Sequence, residues 1–485
     1  MDQPREIELK LEFDPADRDR LDAATAFAGA DANVEYLVAT YFDTPDREVR
    51  EAGYALRIRR EGGTQAQTVK SEGAAAGLFV RGEWEHDVRG DRPVLDARSG
   101  PLAQIIGRDA AARLERVFVT DVRRATRALD AGGARFACAI DQGEVRAGDR
   151  RLSLCEVELE LESGSAQALF DVARRLDEAA PLRLSALSKA ERGYLLAEGE
   201  VDLPARSEPI TIDPNCTPAV AFRVIARSCL KQFRCNKDIV LRTGAPEPLH
   251  QARVGLRRLR TAFSLFKPLI AGDDRGDLLR VELRWLAVEL GEVRNLDALI
   301  ERGSHKLRER LVVARDSCFD HVRTELASAR ARLLMLDLTE WLSFGDWRST
   351  PADAAILHGD IDPFAADLLE RGRRQLKRRG KGLAGLDDQH RHKARIATKK
   401  LRYATQFFAS LYRTGKARRR YEPFLEALET LQDKLGELND LVVAPRILAS
   451  LGIDAKPPGS GKREQLLRQA EQAHDALIDA KRFWR

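Results

Sequence analysis

Near residue 205 the hydrophobic rhythm of this 485-residue chain changes. Upstream, charged and apolar residues alternate in Glu6-Ile7-Glu8-Leu9-Lys10, Leu56-Arg57-Ile58-Arg59, Glu83-Trp84-Glu85 and Glu156-Val157-Glu158-Leu159-Glu160-Leu161-Glu162. A side-chain period of two is that of a β-strand. Ala131-Gly132-Gly133 and Glu61-Gly62-Gly63 read as turns between strands, and Ala166–Glu178 as a helix among them. Downstream, Leu/Ala/Arg-rich segments of helical period run almost to the end. The predicted class is α+β. A strand-rich domain spans 1–202, a proline-rich linker 203–214, and an all-α region 215–485, with halves of about 215–345 and 355–485. Gly380–Leu386 and Lys456–Lys462 read as loops.

Net charge is only +5, from 81 basic and 76 acidic residues, so the placement of charge matters more than its sum. Six scattered cysteines with no Cys-x-x-Cys pair argue against a zinc site and suit a reducing compartment. The first residues have no apolar signal core, and no apolar run is long enough to span a bilayer. A soluble cytoplasmic protein is expected.

Each strand taken singly fits a half-buried sheet with its charges in water. The set of strands points elsewhere, because Arg57 and Arg59, Glu83 and Glu85, and Glu156, Glu158 and Glu160 each share one face. A closed sheet explains this: an apolar outer face packed on helices and a charged lumen. Charges of both signs in a lumen are costly to desolvate, and a polyanion with divalent cations relieves that cost.

The ordered set of motifs resembles the CYTH superfamily of triphosphate tunnel metalloenzymes. It comprises Glu6-x-Glu8-x-Lys10, Tyr41-Phe42-Asp43-Thr44, Leu56-Arg57-Ile58-Arg59, Thr68-Val69-Lys70, Glu83-x-Glu85, Glu156-x-Glu158-x-Glu160 and Ser188-Lys189-Ala190-Glu191-Arg192-Gly193-Tyr194. The resemblance covers about residues 5–197 and implies an eight-stranded antiparallel tunnel that hydrolyses a phosphoanhydride. Lys10, Arg57, Arg59, Lys70 and Lys189 would grip phosphates. Glu6, Glu8, Glu156 and Glu158 would hold Mg2+ or Mn2+. Asp141 matches a position associated with metal and water. Glu83 and Glu85 would orient the basic residues or bind metal water. One of Arg123, Arg124 and Arg127 should reach the lumen; Arg124 is favoured because it shares a face with Thr120 and Val122. Water activated by the metal would be the nucleophile. His86 falls on the face opposite Glu83 and Glu85 and reads as structural.

In the helical region, one basic motif occurs twice. His250, Arg253, Arg257, Arg258 and Arg260 recur as His392, Arg395, Lys399, Lys400 and Arg402. On a helix, His250, Arg253, Arg257 and Arg260 fall within an arc of about 80°. Leu256, Leu259, Phe263 and Phe266 form a neighbouring apolar arc. The second copy does the same with His392, Arg395, Lys399 and Arg402, beside Leu401 and Phe408. No acidic residue at i+3 or i+4 relieves either stripe. Leu290-Gly291-Glu292-Val293-Arg294-Asn295-Leu296-Asp297 is echoed by Leu435-Gly436-Glu437-Leu438-Asn439-Asp440; these read as helix-end segments that either fix the basic side chains from behind or cap helices. Residues 215–485 resemble the CHAD family, which implies two related helical bundles facing a basic channel for inorganic polyphosphate. His250 and His392 either tune that binding near neutral pH or are packed side chains. His390-Arg391-His392 is an i,i+2 pair and cannot converge on a helical zinc site.

The leading expectation is an inorganic triphosphatase with a polyphosphate-binding helical domain, for which polyphosphate granules are a candidate site in the cytoplasm. The alternatives are a non-catalytic granule-binding protein and a tunnel enzyme for another triphosphate, by adenylate cyclisation or thiamine triphosphate hydrolysis. Basic helices without interleaved aromatics argue against nucleic acid.

Overall fold

The computed structural model describes residues 5–61, 63–72, 77–348, 358–453 and 460–485. The chain forms two compact units. One comprises Met1–Ala205, Leu230–Ala252 and Arg323–Phe344; the other comprises Arg206–Cys229, Arg253–Val322 and Gly345–Arg485.

The first unit is built on β1 (Arg5–Glu12), β2 (Asn33–Asp43), β3 (Tyr54–Glu61), β4 (Thr64–Ser71), β5 (Leu78–Asp87), β6 (Glu115–Ala131), β7 (Ala134–Ala147) and β8 (Arg150–Ser163). All pairings are antiparallel in the order β5-β4-β3-β2-β6-β7-β8-β1, and β1 also pairs with β5, which closes the sheet. The alternation predicted the closure, and the family resemblance implied its eight antiparallel strands. A two-residue strand, β9 (Arg183–Leu184), adds to β1. The β6–β7 turn needs glycine, because Gly132 and Gly133 have φ of 59° and 72° in a two-residue hairpin. In the other predicted turn, Gly62 lies outside the described residues.

Counting helices of ten residues or more, α1 is Ala168–Ala179, α2 Lys189–Glu198, α3 Pro218–Thr243, α4 Pro246–Leu265, α5 Asp274–Arg302 and α6 His305–Ala327. They are followed by α7 Ala329–Phe344, α8 Ile361–Arg379, α9 Asp388–Phe407, α10 Gly415–Ser450 and α11 Ser460–Asp479.

Register decides which way each charge points, because directly paired residues on adjacent strands share a face. Glu6 pairs with Arg81, Lys10 with Glu158, Lys70 with Glu83, Arg57 with Thr68, Arg124 with Asp141, and Asp141 with Glu156. All of these face inward. The outward face is apolar: Leu9, Leu11, Phe136, Ile140, Val157 and Leu159 are buried under α1, and Leu336 of α7 joins them. Arg174 of α1 bonds Asp337 of α7 at 2.7 Å, and Arg332 bonds Asp177 at 2.7 Å. Elsewhere Leu56, Ile58 and Val69 are covered by Leu95, Leu102 and Ala103.

The inward face is not charged throughout. At one end α2 packs against Tyr41, Ala55, Phe118, Val122 and Val145. Tyr194 meets Phe118 edge-on at 5.4 Å, and its hydroxyl donates to Asp43 at 2.7 Å. The helix sits close because Gly193 lacks a side chain; a Cβ there would lie 2.1 Å from the Phe118 ring.

In the second unit the buried arcs of α4 and α9 meet in an aromatic cluster. Phe266 lies 5.2 Å from Phe222, 5.2 Å from Phe364 and 6.2 Å from Phe408. The helical region forms two bundles, as the repeat predicts. The Leu290–Asp297 and Leu435–Asp440 segments differ from expectation: they lie inside α5 and α10, not at helix ends. Residues 380–387 make a turn with a short 3-10 segment, Leu383–Gly385. Of the predicted loop at 456–462, residues 456–459 lie outside the described residues, and α11 begins at Ser460.

We expect Gly193→Ala to destabilise the first unit by about 1–3 kcal/mol, the usual cost of overpacking. Thermal unfolding measures it; an unchanged midpoint would contradict this close seat of α2.

Candidate functional site

β1, β3, β4, β5, β6, β7 and β8, together with the first turn of α2, place their charges around one cavity of about 280 Å3. Its lining includes Glu6, Lys10, Arg57, Arg59, Lys70, Glu83, Glu85, Arg124, Glu158 and Lys189. Asp141, Glu156 and Glu8 stand behind that surface, buried and paired to it. The structure therefore brings together all thirteen tunnel residues named from sequence.

The inner end is organised by Glu158. It accepts from Lys10, from Lys189 at 2.9 Å and from Arg124 at 2.5 Å. Burial acts against its ionisation, but Lys10, Lys189 and Arg124 outweigh burial and hold it well below the ordinary carboxylate range. Arg124 also bonds Asp141 at 2.7 Å, and Lys189 reaches Asp141 at 2.8 Å. Lys189 pairs with Glu156 too, yet burial keeps Glu156 above its ordinary range.

The mouth is organised by Glu6, which accepts from Lys70 at 2.8 Å and from Arg81 at 2.9 Å. Despite burial, those two cations lower Glu6 to about 2. Glu83 holds Lys70 at 3.0 Å. Glu85 accepts from the Thr68 hydroxyl at 2.9 Å and lies 3.3 Å from Arg59. Glu160 sits beside this group, and burial together with Glu6 pushes it up to about 7.

At the inner end Asp141, Glu156 and Glu158 could together hold a divalent cation, although Lys189 Nζ already reaches all three. Ligand atoms of Asp141, Glu156 and Glu158 lie within 4.8 Å of one another. Glu156 Oε2 is buried with no hydrogen-bond partner, an open acceptor of the kind a cation occupies. Glu6 and Glu8, the other two expected metal residues, are engaged by Lys70, Arg81 and Lys10. Arg57 and Arg59 line the same bore, and the Nε of each is buried with no hydrogen-bond partner.

Two participants, Arg81 and Glu72, escape sequence reading, and Tyr41 stands within a motif that gives it no role. Arg81 neutralises both Glu6 and Glu8, and it lies two positions before Glu83, so the strand period would have found it. The Tyr41 hydroxyl lies 3.5 Å from Arg57. Glu72 lines the cavity and is pushed up to about 7 by burial and by Glu191. Of the three adjacent arginines, Arg124 enters the bore, whereas Arg127 turns away to Asp22 at 2.9 Å and the Phe27 ring. His86 lies on the outer face, its ring pushed down by burial and Arg98.

The two basic stripes sit on α4 and α9. Within the second unit, Arg253, Arg257, Arg395, Lys399 and Arg402 converge. Burial, then Arg257, Arg395, Arg253 and Arg402, push Lys399 down to about 6. Burial, then Arg257, Arg294 and Arg395, push Arg253 down to about 10. Arg257 donates to the Tyr403 hydroxyl at 2.9 Å, and Arg402 to Gln432 at 2.7 Å. Gly291, from the echoed segment, gives Arg253 room: a Cβ there would fall 2.5 Å from its Nη1. Asn439, from the other copy, holds His392 at 3.3 Å. His390 bonds Asp387 instead, so the two histidines of that pair diverge. His250 is half-buried one turn before Arg253, and Arg260 is exposed.

A closed barrel with a doubly charged bore, followed by helices with convergent cations, defines a tunnel domain joined to an anion-binding helical domain. Residues 4–194 match the model of the CYTH domain and residues 224–449 that of the CHAD domain. The chain thus carries a CYTH domain in its first part and a CHAD domain in its second. It is similar to an inorganic triphosphatase of Haemophilus influenzae, 32% identical over 199 residues. That match covers 40% of this chain and 55% of the relative, so the chain spans about half the length of the curated protein it matches. It is also similar to the crystal structure of the CHAD domain from the plant Ricinus communis. The identity is 30%, the TM-score 0.46, and the match covers 57% of this chain and 93% of that one. No helix among the described residues is long and apolar enough to cross a membrane.

Lys399 has no carboxylate partner among the described residues, which makes a sign-definite prediction. Its folded pKa lies below its unfolded value, so folding expels its proton, and the cost grows as pH falls from about 10.5 towards 6. Lys399→Met should stabilise the chain most at and below pH 6, by about 1–3 kcal/mol as read from thermal unfolding, and leave its stability unchanged above pH 10.5. A gain independent of pH would contradict a strained ammonium.

Proposed function

We propose that the tunnel hydrolyses inorganic triphosphate with the help of Mg2+ or Mn2+, and that the converging basic helices bind inorganic polyphosphate. The observation that carries the reading is unmet bonding capacity of both signs around one bore: the buried, unpartnered Glu156 Oε2 beside Asp141 and Glu158, and the buried, unpartnered Nε atoms of the lining residues Arg57 and Arg59. A short polyphosphate with a divalent cation uses both. A nucleotide or thiamine ester needs a seat for its ring as well. Tyr41 brings the one ring among the described lining residues, and its hydroxyl is turned to Arg57.

In this reading Lys10, Arg57, Arg59, Lys70, Arg124 and Lys189 bind the phosphate oxygens and hold the chain extended. That alignment makes attack an oriented, nearly unimolecular step. The same cations neutralise charge that develops on the transferred phosphoryl group. Glu83 and Glu85 hold Lys70 and Arg59 in place, Lys70 and Arg81 keep Glu6 ionised, and Arg81 pairs with Glu8. Asp141, Glu156 and Glu158 would hold the divalent cation, which supplies further charge neutralisation and activates water. The apolar seat of α2 closes one end of the bore and keeps bulk water from it.

For the helices, a flexible polyanion offers no base edges or fixed shape, and a lined cationic groove suffices to hold it. Such binding relieves the mutual repulsion of Arg253, Arg257, Arg395 and Lys399 and weakens steeply with salt.

Phosphate release from tripolyphosphate, ATP and thiamine triphosphate tests the first half. Release should be fastest from tripolyphosphate, require Mg2+ or Mn2+, and fall at least about 100-fold in kcat/KM for Lys189→Ala and Glu156→Gln. Retention on immobilised polyphosphate tests the second. It should be lost in the Arg253→Ala/Arg395→Ala double variant and kept in Lys189→Ala. Release from ATP alone, or retention indifferent to the double variant, would refute the corresponding half.

A further inference from the structure

Lys231 lies on α3, outside the residues matched by the CYTH model and inside those matched by the CHAD model. It nevertheless reaches the turn that presents Lys189 to the bore. That turn is a capping box. Ser188 Oγ accepts from the Glu191 backbone N–H at 3.1 Å, and Glu191 Oε2 accepts from the Ser188 N–H at 2.7 Å. Lys231 Nζ donates to the other oxygen, Oε1, at 2.8 Å. Both carboxylate oxygens of Glu191 are thereby fixed. One turn along the same face of α3, Arg234 donates to the carbonyl of Leu184 at 2.8 Å and to that of Ser185. The segment leading into α2 is anchored at two points from α3.

The position of this anchor gives it consequence. Ser188 lines the cavity. Lys189, the first residue of α2, binds Asp141, Glu156 and Glu158, the groups that would hold the cation. Glu72 also lines the cavity and faces Glu191, while Lys231, Arg50 and Arg81 offset its burial. Without Lys231, the Glu72 and Glu191 carboxyls would confront each other with less compensation, and Glu191 would be free to leave the cap. An exposed ion pair alone is worth little. This one holds a carboxylate already committed to the helix start.

We infer that Lys231 is a positioning residue for the tunnel: by holding Glu191 it fixes the capping box, and through it the orientation of Lys189 over the acidic cluster. The inference rests on the proposed triphosphatase reading for its consequence, but not for its geometry. It makes a residue of the CHAD-matched segment part of the tunnel's working structure.

The test uses the full chain with tripolyphosphate and Mg2+. Steady-state constants and thermal midpoints are measured for Lys231→Met, Lys231→Arg, Ser188→Ala and the Lys231→Met/Ser188→Ala double variant. We expect Lys231→Met to lower kcat/KM roughly tenfold at an assay temperature well below its midpoint. Lys231→Arg should restore most of the loss. The double variant should lose little more than the worse single one, because both act through one cap. Wild-type kcat/KM in Lys231→Met, equal losses in the Met and Arg variants, or additive losses would each overturn the inference. If Lys231→Met does not fold, Lys231→Gln takes its place under the same criteria. Should the wild-type chain release no phosphate, the hydrolytic reading alone fails. The same series is then read by calorimetric tripolyphosphate binding. A roughly tenfold weaker Kd in the Met variant, restored in the Arg variant, supports the inference, and an unchanged Kd overturns it.

Discussion

Glu158 accepts from three cations at once, Lys10, Arg124 and Lys189, in a bore shut off from most of the solvent. Ionised groups held there forgo hydration, and only their mutual pairing makes the arrangement tolerable. Much of the first unit serves that pairing. Closure of the sheet converges the charged faces of the strands, and α1 and the 88–114 segment cover the apolar faces. Antiparallel register sets Arg124 beside Asp141 and Lys10 beside Glu158. The pairing is incomplete at Glu156 Oε2 and at the Nε atoms of Arg57 and Arg59, which is the capacity the proposed ligand would use.

The helices of the second unit pose the opposite problem. Their charges are alike and cannot compensate one another. Arg253, Arg395 and Lys399 are all pushed below their ordinary pKa, each first by burial. Neighbouring neutral groups, the Tyr403 hydroxyl and Gln432, hold individual guanidiniums without cancelling their charge. The barrel carries its own counter-charges and leaves a small remainder for a compact ligand. In the proposed reading, the helices leave most of that demand to an external polyanion.

Much of this was legible in the chain, because strand period and helical period are both short-range signals. Strict alternation placed Glu6, Lys10, Arg57, Glu83 and Glu158 on one face, and a closed sheet follows once every strand carries such a face. Arg124 was separable from Arg123 and Arg127 by parity alone. Arg81 was equally accessible, two positions from Glu83, but it stands outside the motif that drew attention. Other features depend on tertiary packing that no local pattern encodes. Leu230–Ala252 and Arg323–Phe344 share the helical rhythm of their surroundings, so nothing local marks them as part of the barrel's unit. The Leu-Gly-Glu segments resemble helix ends because glycine so often stops a helix. Gly291 instead lies within α5, where its missing side chain accommodates the Arg253 guanidinium. The apolar end of the bore required knowing that α2 packs on the inward face.

The central claim is that the barrel encloses one site completed jointly by a short polyphosphate and a divalent cation. Calorimetric titration of tripolyphosphate into the Arg253→Ala/Arg395→Ala chain, with and without Mg2+ or Mn2+, tests it most directly, because the helical stripe no longer contributes. The account predicts a single site whose affinity rises strongly when the cation is present. Absence of binding, or binding of equal strength without the cation, would contradict it.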